Sequence, residues 1–183
     1  MSVGALVRSA AAGDRPAWDA LVEQFAGLVW AVTRSHRLSD ADAADVSQTT
    51  WLRLVERLDS LREPERVGAW LATTARRECL RTLGGRQREV VADLDSLPGD
   101  EAGSGDGLLE RERAAAMRGA FTRLGERCQR LLRVLMADPA PSYDDVAAAL
   151  EMPVGSIGPT RARCLDRLRR DGALVALALE GGA

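Results

Sequence analysis

The chain has no lysine, so all 25 of its basic residues are arginine. Its 183 residues include one histidine, three cysteines and one tyrosine, and aromatics make up 4%. Each shortage excludes something. Cys79, Cys128 and Cys164 stand far apart, are odd in number and form no C-x-x-C pair; with His36 alone beside them, no zinc site is expected. Buried free thiols in a reducing cytoplasm are the expectation. Strand-type runs of Val, Ile, Thr and Tyr are nearly absent. No apolar run reaches the roughly 20 residues of a membrane span, and no signal peptide is evident, so a cytoplasmic protein without membrane contact of its own is expected. No nucleophile–His pair, phosphate loop or metal cluster occurs, which argues against an enzyme and against any cofactor.

What is present favours helix. Ala, Leu, Arg and Glu dominate, hydrophobic residues make up 46% and charged residues 28%. An all-arginine basic set fits a GC-rich genome, yet arginine is also the side chain that grips phosphate in a bidentate fork. The net charge of −2 hides an uneven distribution. Residues 1–90 hold 13 Arg against 12 acids, for +1; residues 91–110 hold six acids and no Arg, for −6; residues 111–183 hold 12 Arg against nine acids, for +3. Two locally basic halves flank an acidic middle.

Apolar spacing sketches the elements. "PAWDALVEQFAGLVWAVTR" repeats Trp18, Leu21, Val22, Phe25, Leu28, Val29 and Val32 at helical intervals. "LSDADAADVSQTTWLRLVERL" opens on the capping residues Ser39 and Asp40 and predicts Val46, Leu52 and Val55 on its inner side. "ERVGAWLATTARRECLRTL" predicts a third helix packed through Trp70, Leu71, Thr74 and Leu80, after a loop containing Pro64. "VVADLDSLPGDEAGSGDG" reads as a flexible acidic linker. Helical pattern returns at Leu108, is divided near Gly125, and ends in two short helices joined by the turn "EMPVG". That pair, the second member basic, outlines a helix-turn-helix. The expected fold is all-α: a bundle over 5–90, a linker over 91–107, a second domain over 108–171 and a tail over 172–183.

In the last helix, "SIGPTRARCLDRLRR", a Gly158-Pro159 pair precedes all five arginines. A start near Gly155 or Ser156 puts Pro159 in the first turn, where a missing N–H costs no hydrogen bond. Ile157, Cys164 and Leu168 then face inward, and Arg161 falls toward the buried side. Small residues beside Thr160 and Arg163 permit close approach to a groove.

At this point both halves resemble a known family. "SYDDVAAALEMPVGSIGPTRARCLDRLRR" resembles the promoter-binding region 4 of extracytoplasmic-function sigma factors, and "PVGSIGPTRARCL" resembles an actinobacterial form. Asp42, Ala43, Asp45, Gln48 and Trp51 match the family's region 2.2 pattern, and "GAWLATTARRECLRTL" resembles the segment after it. The resemblance spans about residues 5–90 and 108–170.

The resemblance implies an alternative sigma factor, which directs core RNA polymerase to promoters and does no bond chemistry. Asp42, Asp45, Gln48, Trp51 and Leu52 would bind the clamp coiled coil of the core polymerase, and the second half would meet its flap. Arg62, Glu63 and Arg66, with Arg76, Arg77 and Arg81 on the next helix, would hold the melted minus-ten DNA. Ser156, Pro159, Thr160, Arg161 and Arg163 would meet the minus-thirty-five element. The linker would thread toward the active-site cleft, and an anti-sigma factor is a possible further partner. Plainer readings stand beside these: Asp42 and Asp45 as first-turn acids favoured by the helix dipole, Trp70 as core, the linker as a solvated tether. The chain departs from the family where Arg77 replaces a usual Asn, Arg81 a usual acid, and Gly84-Gly85 interrupts a basic run. A free-standing helix-turn-helix regulator is the alternative function; it would not need the region 2.2 pattern.

Overall fold

A computed structural model describes residues 1–86 and 108–180. Among these residues there are helices and turns and no strands. The helices are α1 (Val3–Ala11), α2 (Arg15–Ser35), α3 (Asp40–Arg57), α4 (Val67–Arg86), α5 (Leu108–Arg123), α6 (Glu126–Leu135), α7 (Tyr143–Leu150), α8 (Val154–Arg169) and α9 (Gly172–Glu180). The expected acidic linker lies outside the described residues.

Side-chain caps set several of these starts. Ser39 Oγ accepts from the Asp42 N–H at 3.2 Å and Asp14 caps α2, so each helix satisfies one otherwise unpaired donor. α7 has a full capping box: Ser142 Oγ accepts from the Asp145 N–H, and the Asp145 carboxylate accepts from the Ser142 N–H. Gly125 separates α5 from α6, as its place in the sequence predicts.

The spacing reading overlooked α1, although Val3, Leu6, Val7 and Ala10 already stand at helical intervals. It packs on α2 and on the turn before α4, where the Glu65 carboxylate accepts from the Gly4 N–H. On α3 the buried stripe is Ala43, Val46, Thr50 and Leu54. Leu52 and Val55, expected inside, lie on the opposite side of the helix and are 57% and 54% exposed. Leu80 is likewise exposed, because α4 buries Val67, Leu71, Ala72, Ala75 and Cys79 instead.

The two halves share one core. Val7, Leu21, Phe25, Leu28, Leu54 and Leu71 of the first half form a single cluster with Leu131, Val134, Val146, Ala149, Met152 and Ile157 of the second. Two helix-interior glycines allow that approach, although glycine there costs about 1 kcal/mol relative to alanine. Gly27 on α2 lies against the backbone carbonyl of Asp138, and Gly68 on α4 against the Asp145 carboxylate and the Phe25 ring; neither has room for a Cβ. Smaller clusters flank this core: Leu38, Ala43, Val46 and Cys79 on one side, and Leu124, Cys128, Leu132 and Cys164 on the other.

Cys128 and Cys164 are joined in a disulfide between α6 and α8, with Cα atoms 5.5 Å apart. The expectation of three free thiols therefore holds for Cys79 alone. Linear spacing gave no sign of the pair because folding, not proximity in sequence, brings the two residues together across 36 positions. Burial pushes the Cys79 thiol up to about 12. The C-terminal segment forms α9, which packs on α5, and Arg123 grips the Asp171 carboxylate with two hydrogen bonds of 2.9 and 2.6 Å.

Candidate functional site

Three surfaces gather the residues singled out above. The first is the outer face of α3. Asp45, Gln48, Leu52 and Val55 follow one another at helical spacing and all are exposed, a stripe with polar groups at one end and two apolar side chains at the other. Asp42 is half-buried and bonded to the Ser39 hydroxyl, so it serves the start of the helix. Trp51 is also half-buried, edge-on to the Trp18 ring with centroids 6.0 Å apart, and belongs to the periphery of the core. Val55 was missed as a surface residue; placing Ala43, Val46, Thr50 and Leu54 on the inner stripe would have exposed it.

The second surface runs from the turn before α4 along that helix. Arg62 is exposed, and Arg66 pairs with Glu63 at 3.2 Å on the surface. The arginines of α4 do not share one side. Arg77 and Arg81 are exposed, Arg81 pairing with Glu78 at 2.7 Å. Glu78 is itself buried and also meets Arg53 at 2.8 Å. Arg76 points the other way, into the contact with the second half, where it meets the Glu151 carboxylate at 2.8 Å. Trp70 packs against the core, in line with the plainer reading.

Glu151 ends α7 in a left-handed conformation, φ 50°, that turns the chain toward α8. Around it lie further contacts between halves. Arg133 donates to the Arg34 carbonyl at 2.9 Å, and Arg37 pairs with Glu126 at 3.4 Å. His36 sits in the same seam, its pKa lowered to about 4 by burial first and by the charges of Arg130 and Arg76 second.

The third surface is α8. The helix starts at Val154, earlier than the proline suggested, so Pro159 stands in the second turn and the helix runs on through it. Its missing N–H thus removes one intrahelical bond, to the Gly155 carbonyl. Nothing lies within 4 Å of where a Cβ of Gly155 or Gly158 would stand, and Pro159 is exposed, leaving a low surface at this end. Thr160, expected at the surface, is buried; its hydroxyl accepts from Arg163 at 3.3 Å. Arg161, expected nearer the core, is exposed, as is Arg163, because Ile157, Thr160 and Cys164 make the inner stripe. Ser156 is half-exposed, with its hydroxyl bonded to the Pro153 carbonyl at 2.8 Å.

The exposed residues are thus an acid-and-apolar stripe on one half and an arginine-bearing second helix of a helix-turn-helix on the other. Among the described residues no group of His, Cys, Asp or Glu could hold a metal ion, and no helix is long and apolar enough to cross a membrane.

Comparison with known proteins places this arrangement. Residues 21–89 match the family Sigma-70 region 2. The first half of the chain thus carries a region similar to sigma-70 region 2. The fold is similar to that of CnrH, solved in complex with the cytosolic domain of CnrY, at a TM-score of 0.57 and 21% identity over 100% of both chains. It is also similar to the sigma factor RpoE of Bartonella quintana, solved with the anti-sigma factor NepR, at a TM-score of 0.58 and 24% identity. That second likeness covers 82% of this chain and 94% of the other. No curated protein matches the chain by sequence. The two-half helical architecture of the chain agrees with the fold expected from the extracytoplasmic-function form that its motifs resemble.

Proposed function

We propose that the chain is a sigma factor that binds core RNA polymerase through the outer face of α3 and reads promoters with both halves. The observation that carries the proposal is the exposed stripe Asp45, Gln48, Leu52 and Val55, on the segment matched to region 2. Two large apolar side chains in water at the end of a polar stripe are what a partner surface would cover. Asp45 and Gln48 would fix the register on arginines of the clamp coiled coil. Asp42 and Trp51 support this face from within.

Minus-ten DNA would lie along Arg62, Glu63, Arg66, Arg77 and Arg81. Extruding a base costs a few kcal/mol, which phosphate contacts from exposed arginines offset. The sigma factor favours the melted state by binding single strands better than duplex. The minus-thirty-five element would meet Ser156, Pro159, Arg161 and Arg163, with Thr160 acting from below by steadying Arg163. The second half, residues 108–171, would also meet the polymerase flap.

These contacts require the halves to separate. Promoter elements about 25 base pairs apart are roughly 85 Å apart at 3.4 Å per pair. A packed chain of this length has a radius of gyration of about 16 Å, so its closed form spans roughly half that distance. Opening exposes Arg76, which exchanges Glu151 for phosphate. An anti-sigma factor, such as NepR is for RpoE, would act by covering the same surfaces.

The test is binding to core polymerase by Leu52→Glu. The proposal predicts at least a tenfold loss of affinity with unchanged thermal stability, since the side chain is exposed. Wild-type affinity in the variant, or duplex recognition by the isolated protein with no effect of core, would turn the reading to a free-standing regulator.

A further inference from the structure

The disulfide between Cys128 and Cys164 lies in a telling place. Its ring encloses α6 from Cys128 onward, all of α7, the turn after it and α8 as far as Cys164, which is most of the helix-turn-helix. Cys164 stands one helical turn beyond Thr160 and Arg161 and next to Arg163. The first part of α8 is held separately, by Ile157 in the large shared core. The apolar packing of the later part is the small cluster of Leu124, Cys128, Leu132 and Cys164, with Phe121, Leu165 and Leu168 at its edge, and Arg123 holds Asp171 just past the helix end. So few side chains make a weak core, and weak cores depend on cross-links. Cys79 is remote from this pair, in the cluster with Leu38, Ala43 and Val46.

We propose that the Cys128–Cys164 bond is a redox-sensitive staple that sets whether α8 is held in its promoter-reading position. The link to DNA rests on the reading of α8 given above; the staple itself does not. Oxidation proceeds by two exchanges with a small-molecule disulfide. The thiolate of Cys128, the less buried of the two, attacks one sulfur and releases one small thiol, leaving a mixed disulfide. The Cys164 thiolate then displaces the second small thiol. Two protein thiols lose two protons and two electrons, and the small disulfide takes them up. Reduction by a dithiol runs the same steps backwards. The oxidised state presents Arg161 and Arg163 on a helix tied at both of its packing sites. In the reduced state α8 stays anchored at Ile157 but frays from Cys164 onward.

The experiment uses the full chain equilibrated with oxidised glutathione or with dithiothreitol, quenched with an alkylating agent and weighed after denaturation. The oxidised sample should carry one alkyl group, on Cys79, and the reduced sample three. Hydrogen exchange over residues 164–170 should be at least tenfold faster in the reduced protein, with residues 15–86 unchanged. With core polymerase on a promoter mapped for this factor, minus-thirty-five-dependent initiation should fall at least tenfold in C128A/C164A and lose its response to oxidant. Three alkyl groups after oxidation would overturn the proposal, as would equal exchange in the two redox states. Should neither form initiate with core while the exchange difference persists, the sigma reading fails and the staple stands. Should exchange differ while initiation is equal in wild type and variant, the staple does not govern promoter reading and the proposal falls.

Discussion

At the scale of single residues, chemically similar side chains do different jobs. Asp42 and Asp45 stand three positions apart on α3, yet Asp42 is bonded to the Ser39 hydroxyl while Asp45 faces solvent. Asp42→Ala should therefore cost on the order of 0.5–1 kcal/mol of stability, the usual worth of a charge at a helix start. Asp45→Ala should leave the urea midpoint unchanged and weaken binding to core. Equal stability losses in the two variants would contradict this division. His36 makes a prediction in pH. Its folded pKa of about 4 lies below the ordinary 6.5, so between these values the unfolded chain binds more protons than the folded one. Its contribution is complete above pH 6.5 and is lost as pH falls toward 4. Urea titrations at pH 7 and pH 5 should show lower stability at pH 5, and His36→Gln should reduce the difference; an equal difference in the variant would place the effect elsewhere.

At the scale of elements, local signals act where a helix starts and fall silent where it packs. Ser142 and Asp145 form the capping box that defines α7, and Ser142→Ala should cost about 1 kcal/mol in urea denaturation. Such signals made α2, α3, α7 and the divide at Gly125 legible, since each depends on neighbours in sequence. The inner stripe of α3 was harder to read. It is built of Ala43, Val46, Thr50 and Leu54, with a threonine that bonds back to the Val46 carbonyl, while the larger Leu52 and Val55 are left outside. Hydrophobicity alone assigns those two to a core; the proposed partner surface gives them a reason to be exposed. Arg161 and Thr160 exchanged places for a related reason, because the helix began before its proline and Thr160 could bury its hydroxyl against Arg163.

At the scale of the whole molecule, what the sequence left hidden is long-range. No local pattern pairs Cys128 with Cys164, Arg76 with Glu151, or Gly68 with Asp145. The disulfide comes from α8 folding back on α6 within the second half, and the other two from the second half folding back on the first. The shared core gives the closed form real cohesion, which the proposed binding to polymerase would have to offset. Gly68→Leu should wedge the seam between α4, Phe25 and Asp145. Small-angle scattering should then give a radius of gyration well above the roughly 16 Å of a compact chain, with binding to core retained. An unchanged radius would mean that the seam is not where the halves are held.

The central claim is promoter-specific initiation. It is tested most directly by run-off transcription with purified core polymerase and fragmented genomic DNA, with and without this protein, mapping RNA 5′ ends. The account predicts discrete new start sites that share two upstream elements and vanish with Leu52→Glu. No new start sites in the presence of core, alongside sequence-specific duplex binding by the protein alone, would contradict it.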